Sequence, residues 1–443
     1  MSLLLCVLLS VLGLILLISR FKVNAFVALI LASVFMGLCS GMALPAIARS
    51  FQEGVGGVLG SVAAVIGLGT VLGRMLAESG GARVVATTLI GVMGAGRLPW
   101  AMLLIGFIVG IPVFFSVGLV LLVPILFTVA RQAGAPLLSL AIPLLAGLSV
   151  AHGLVPPHPG PIVAIGMLEA DVGLTVAYSI AVGVPTAFVA GPWLGAWLAR
   201  RVPVMTSGGL ADQFAAAGEY VTAPSFGVTV ATILLPVGLM LLATVVDLTL
   251  PPEHHVRQWA DFVGSPLVAL LIAVVVSFYS FGLARGFGRE RIATFAQESL
   301  GPVASVLLVV GAGGGFNRVL VESGAGGVIA ALAAASQVSV LLLGWLIAAA
   351  LRIATGSATV AISTAAGIVA PMAAASPDVN LELLVLAMGA GSLILSHVND
   401  GGFWLVKEYL NLSVAQTLTT WTIMETVIAV VALAFILLLD VLV

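Results

Sequence analysis

Apolar residues run along this chain in long blocks, and polar residues fall between the blocks or in a few short clusters inside them. Blocks such as Leu3 to Ser19, Ala25 to Leu44, Phe226 to Val246, Ser265 to Phe281 and Trp421 to Leu439 are long enough to cross a hydrocarbon core as helices. They are apolar on every side, whereas barrel strands would alternate in polarity at every second residue. The pattern predicts an all-α polytopic membrane protein with about 10–14 membrane segments. Composition agrees: 61% of the 443 residues are hydrophobic and 8% charged, and the mean hydropathy is +1.26. That leaves too little polar surface for a water-soluble protein of this length.

Other classes fall away quickly. No basic residue precedes the first apolar block, and Arg20 and Lys22 follow it, so it reads as a first span and not as a cleaved signal peptide. Cys6 and Cys39 sit in apolar segments without a CxxC partner, which indicates neither a disulfide nor a metal site. The net charge of −2 says little about partners; the lipid bilayer is the partner that the apolar blocks imply, and the lack of a basic stripe with interleaved aromatics points away from nucleic acid.

An internal repeat organises the chain. VIGLGTVLGRMLAESG (Val65 to Gly80) matches VVGAGGGFNRVLVESG (Val309 to Gly324) without gaps at an offset of 244, Gly311 minus Gly67. Phe51 and Phe295, Gly57 and Gly301, and Ser61 and Ser305 pair at the same offset. The expected division is a first transmembrane repeat at 1–202, a polar linker at 203–222 and a second repeat at 223–443. Duplicated membrane halves are characteristic of transporters, often with one half inverted. Placing Arg20 with Lys22, Arg131, Arg200 with Arg201, and Arg285, Arg289 and Arg291 in the cytoplasm requires an odd number of crossings per half. The halves then face opposite ways, with both termini outside; Arg49, Arg97 and Arg257 weigh against this placement.

Four polar features interrupt the apolar background. In the glycine-rich pair, Arg74 and Glu78, and likewise Arg318 and Glu322, are spaced to share a helix face. They either close a hairpin tip or meet substrate or proton, with Asn317 beside them. The GxGxxG reading fails, because Phe316 occupies the third glycine position and no P-loop lysine follows. In the second feature, Gly110 and Pro112 break the apolar run Trp100 to Ala130, and ATGSAT breaks its counterpart Leu341 to Pro371, with Ser116 opposite Ser357. Broken helices expose backbone N–H groups and a positive half-helix end, which suits an anion. Thr355, Gly356, Ser357 and Thr359 add hydroxyls and a flexible backbone there. The third is AHGLVPPHPGPIVA (Ala151 to Ala164), a turn or a wet interruption in which His152 or His158 could titrate. The fourth is LSHVNDGGFWLVKEYL (Leu395 to Leu410), where His397, Asn399 and Asp400 cluster. A partly desolvated aspartate beside a histidine is a reasonable proton carrier.

Together these segments resemble the gluconate permease family of the ion transporter superfamily. The resemblance runs through nearly the whole chain and is most specific in GAGGGFNRVLVESGAG (Gly311 to Gly326), LRIATGSATVAISTAAGIVAP (Leu351 to Pro371), SHVNDGGFWLVKEYL (Ser396 to Leu410) and LVPPHPGPIVA (Leu154 to Ala164). It implies a multi-pass inner-membrane symporter coupling a proton to gluconate, with inverted-topology repeats, broken helices, re-entrant hairpins and elevator-like movement, often as a homodimer. Relatives also carry idonate and D-serine. One position departs from the pattern: many relatives have an acid where this chain has Ser116, which shifts the expected proton route to Asp400, Glu322, Glu78 or His158. The substrate is expected at Ser116, Thr355, Gly356, Ser357, Thr359, Asn317, His397 and Asn399. No cofactor and no metal are expected. An enzyme is disfavoured, since HExxH is absent and the histidines are scattered at 152, 158, 254, 255 and 397. A channel is disfavoured by the duplicated, broken-helix plan.

Overall fold

Inside a bilayer the backbone must satisfy its own hydrogen bonds, so apolar blocks of this length have helix as their stable form. A computed structural model describes residues 3–202, 222–301, 303–325, 338–376, 378–398 and 400–443, and it has no strand among them. The first half contains α1 (Leu3–Ser19), α2 (Ala25–Cys39), α3 (Leu44–Glu78), α4 (Gly81–Met93), α5 (Leu98–Gly110), α6 (Phe115–Ala133), α7 (Leu137–Leu154), α8 (Pro159–Leu168) and α9 (Val172–Phe188). A π-helical turn at Val189–Trp193 carries α9 into α10 (Leu194–Arg201). The second half contains α11 (Phe226–Thr249), α12 (His255–Gly264), α13 (Pro266–Ser277), α14 (Arg289–Leu300), α15 (Val303–Glu322), α16 (Val340–Thr355), α17 (Ala358–Ala374), α18 (Leu381–Gly391), α19 (Gly401–Tyr409), α20 (Val414–Thr417) and α21 (Ile423–Asp440). Apart from Thr222, the polar linker lies outside the described residues.

Among the described residues, six helices are long and apolar enough to span a membrane. The number reaches eight if Leu44–Gly60 with Val62–Glu78, and Phe115–Val123 with Ile125–Ala133, each count as one bent span. Shorter apolar helices of 10–17 residues, α5, α16 and α17 among them, lie before or between these spans. The protein is therefore an all-helical, multi-pass membrane protein whose segment count depends on how its broken helices are taken. Several buried hydroxyls are satisfied within their own helices: Ser33 donates to Leu29 O at 2.7 Å and Thr186 to Val182 O at 2.7 Å.

Helices of the two halves recur in order. The pairs begin at Ala25 and Pro266, Leu98 and Val340, Phe115 and Ala358, Leu137 and Leu381, Pro159 and Gly401, and Val172 and Val414. Packing recurs with them. A Cβ added to Gly147 of α7 would lie 2.4 Å from Leu103 O on α5, and one added to Gly391 at the end of α18 would lie 2.3 Å from Trp345 O on α16. The glycine lets the two backbones touch in each case.

The two glycine-rich segments pack against each other. A Cβ on Gly54 of α3 would sit 2.4 Å from Gly314 O of α15, so only glycine fits that crossing. Both segments end alike. Ser79 donates to Leu76 O at 3.1 Å and accepts from Gly81 N at 3.3 Å; Ser323 donates to Leu320 O at 2.8 Å and accepts from Ala325 N at 3.4 Å. Gly80 and Gly324 follow with φ of 75° and 76°, a left-handed conformation that glycine adopts without strain. The repeated Glu-Ser-Gly is thus a helix stop.

Candidate functional site

Two helix interruptions build the site. After Gly110, a short non-helical stretch containing Pro112 separates α5 from α6, since proline lacks the N–H that would continue the ladder. Phe114, at the N-cap of α6, offers no side-chain cap, so the first N–H groups of α6 stay open toward whatever faces them. In the second half α16 stops at Gly356, whose φ of 72° reverses the chain, and α17 starts at Ala358. Ser357 caps α17 by accepting from Val360 N at 3.4 Å.

The starts of both half-helices line one cavity of about 390 Å³. Ser116 and Val117 reach it from α6, Thr359 from α17, and Gly356 and Ser357 from the second break. Its remaining walls come from Ser149 and His152 of α7, Asp400 and the following glycines at the start of α19, and Trp421 and Glu425 near the start of α21. Arg352, in the last turn of α16, completes the lining.

Arg352 is only 4% exposed, and its Nη2 meets Asp400 Oδ2 at 2.5 Å. Its Nε is buried with no hydrogen-bond partner among the described residues. Asp400 is held from several sides. Its Oδ1 accepts from Gly402 N at 2.8 Å as the N-cap of α19, and its Oδ2 also accepts from the Ser396 hydroxyl. Trp421 Nε1 donates in turn to Ser396 Oγ at 2.7 Å. Arg352 and the Gly402 N–H, which can only donate, claim the two carboxylate oxygens.

Across the cavity Glu425 is buried, and its Oε1 accepts from Ser149 Oγ at 2.5 Å. His152 leads away from the cavity to His158: their Nδ1 atoms are 3.3 Å apart, and His158 Nε2 lies 2.6 Å from Gly110 O at the end of α5. A carbonyl only accepts, so His158 carries its proton on Nε2, and its bare Nδ1 accepts from His152 Nδ1–H.

The sequence-predicted residues separate into groups. Ser116, Gly356, Ser357, Thr359 and Asp400 come together in the cavity, and Thr355 stands directly before it, accepting from Ser357 N at 3.3 Å. His158 lies behind His152, beside Thr70 of α3. His397, on the loop before α19, contacts Ile353 O at 3.2 Å through Nε2. Asn317 lines a different recess with Arg318 and Glu53, and its Oδ1 is buried without a partner among the described residues. Glu78 and Glu322 pair with their own helices' arginines, at 2.9 Å to Arg74 and 2.6 Å to Arg318, and Glu322 also accepts from Ser50. Neither lines the cavity. Asn399 lies outside the described residues. Sequence reasoning missed Arg352, Glu425 and Ser149. The signal was available for the first two, as lone charges inside apolar runs.

A membrane cavity at paired helix breaks, with a buried arginine on its wall, suits a small anion that must enter and leave. The sequence model of the GntP family permeases matches residues 2–442. The chain belongs to the GntP permease family. Within the curated members, a gluconate permease of Pseudomonas aeruginosa is 55% identical over 438 residues, covering 99% of this chain and 97% of the relative. The Gnt-II system L-idonate transporter of Escherichia coli is 42% identical over 413 residues, 93% of each chain. Among solved structures, the YdaH transporter of Alcanivorax borkumensis, described as having an unusual topology, superposes with a TM-score of 0.65 at 18% identity, covering 94% of this chain and 97% of that one; the likeness is one of fold. As a GntP permease the protein is a multi-pass inner-membrane transporter and not an enzyme.

Proposed function

We propose that this permease is a proton-coupled symporter that takes up gluconate or a closely related sugar acid by elevator-type alternating access. The observation that carries the substrate class is the cavity itself, where one buried arginine faces two half-helix N-termini fringed with hydroxyls. In this reading Arg352 and the open N–H groups of α6 hold the carboxylate, while Ser116, Ser357 and Thr359 read the polyol. The volume is in the range usual for small-molecule sites, roughly 300–1,000 Å³. A gluconate permease and an L-idonate transporter among the relatives support sugar acids as the leading candidates.

Inverted repeats are supported by a reciprocity at the glycine-rich helices. Arg74 of the first half meets Glu298 of the second at 3.0 Å, and Arg318 of the second meets Glu53 of the first at 3.6 Å. A pseudo-twofold axis exchanging the halves produces such crossed pairs, and inverted repeats around broken helices are the usual architecture of alternating access. Assembly as a homodimer completes the proposal, on the resemblance to the superfamily.

Labelled gluconate uptake into proteoliposomes with an imposed proton gradient tests the whole reading. Accumulation that collapses when an ionophore dissipates the gradient is expected. Uptake indifferent to the ionophore removes the coupling. A competition panel of gluconate, idonate, D-serine and glycerate ranks the substrates, with the sugar acids expected to compete most strongly.

A further inference from the structure

We infer that Glu425 is the carboxyl group that carries the co-transported proton, while Asp400 remains ionised as the partner of Arg352; the assignment rests on the proton-coupled reading above. The argument starts from the charges that face the cavity. Arg352 and Asp400 neutralise each other across 2.5 Å. Glu425 has no cation within salt-bridge distance among the described residues; its hydrogen bond is to the Ser149 hydroxyl. An anionic substrate entering beside an ionised Glu425 would place three negative groups around one arginine in a poorly hydrated site. Such an excess is costly in a low-dielectric interior. A proton on Glu425 removes one of those charges before or as the substrate arrives.

The two carboxylates are built differently for this task. Asp400 is met by the Arg352 guanidinium and the Gly402 backbone N–H, both obligate donors, and these leave little room for a carboxyl proton. A serine hydroxyl is both donor and acceptor, so Ser149 serves Glu425 in either state, donating to the carboxylate or accepting from the acid. No covalent chemistry is involved: the proton enters from water on one side, converts carboxylate to carboxylic acid, and leaves to water on the other.

The surroundings of α21 leave few competitors. α7 presents His152, α16 Arg352 and the start of α19 Asp400. α9 contributes Tyr178, and the π-helical turns at Val189–Trp193 and Leu418–Thr422 contain no ionisable residue. Glu382 of α18 lies at the far end of that helix from the cavity, where it accepts from Asp171 N at 2.8 Å. Among the described residues, His152 is the one rival able to gain a proton while facing the cavity.

The test uses E425Q in proteoliposomes with labelled gluconate, because glutamine imitates the protonated acid. Gradient-driven accumulation should fall at least ten-fold, while gluconate exchange across the membrane in counterflow continues. Accumulation equal to wild type overturns the assignment, as does loss of coupling in H152Q with coupling retained in E425Q. S149A keeps the carboxyl group and guards against a folding defect in E425Q; its pH profile of uptake should shift by on the order of one pH unit, the scale of one hydrogen bond to a charge. An unchanged S149A profile also overturns the assignment. Wild-type uptake that ignores the gradient would instead remove the symport reading itself, so the two failures are distinguishable.

Discussion

The two helix breaks both aim a half-helix start at one cavity and differ in length, capping and chemistry. Each half supplies a short helix, an interruption and a half-helix whose N-terminus faces the cavity. The first half furnishes neutral groups: Gly110 ends α5, His158 precedes α8, and Gly183 sits within α9. At the places that correspond by helix order, the second half carries Arg352, Asp400 and Glu425. The first break is left uncapped at Phe114, while the second is capped by Ser357 and turned by a left-handed Gly356. At these corresponding places the charged side chains all come from the second half. On the proposed reading, a single arginine at the paired breaks gives the substrate anion one place to bind.

If the asymmetry is what matters, the largest effect belongs to Arg352. R352Q leaves the partly buried Asp400 without its cation, and removing one member of a buried pair costs up to roughly 3–5 kcal/mol. Uptake should drop by at least a hundred-fold, measured as initial rate per inserted transporter. R352K tests the guanidinium itself: it keeps the charge, and KM should rise about ten-fold, because an ammonium lacks the planar array of donors that can hold Asp400 and a second anion together.

G356A comes next. Alanine at φ of 72° is strained by about 1 kcal/mol or more, and the strain falls where α17 must point at the cavity. Reduced thermal stability and a several-fold loss of uptake are expected; wild-type behaviour would show that the second break tolerates another path. Ser357 and Ser116 then compare the halves directly. S357A removes both a cap, worth about 1 kcal/mol, and a lining hydroxyl, so KM should rise about ten-fold. S116A removes a lining hydroxyl only, and its effect should stay within about three-fold. Equal effects would erase the distinction between the breaks.

The smallest changes should come from the crossed pairs at the glycine-rich helices. Arg74 and Arg318 are 39% and 51% exposed, and exposed pairs contribute about 0–1 kcal/mol. R74Q and R318Q should each leave gluconate affinity within about two-fold, read from equilibrium binding.

Much of the frame was legible in the sequence because it is local. Apolar block length predicts the helices, Pro112 and the ATGSAT stretch predict the breaks, and spacing predicts the Arg74–Glu78 and Arg318–Glu322 pairs. The cavity was half legible: Ser116, Ser357, Thr359 and Asp400 were found through their places at breaks and helix starts. Arg352 and Glu425 were passed over because their meaning depends on α16, α19, α7 and α21 converging, which no spacing along the chain reveals. Asn317 shows the opposite difficulty. It stands in a conspicuous motif, yet it lies against Gly367 on the flank of α17, where a Cβ on that glycine would come within 3.2 Å of Asn317 Cβ. The cross-half partners Glu298 and Glu53 were equally hidden, since each pair closes more than 200 residues of chain.

Equilibrium binding of gluconate to purified wild-type, R352Q and R318Q protein tests the central claim most directly. The account predicts saturable binding by wild type, near-wild-type binding by R318Q and binding lost in a folded R352Q. Gluconate binding by R352Q with wild-type affinity would contradict it and move the substrate site away from the paired breaks.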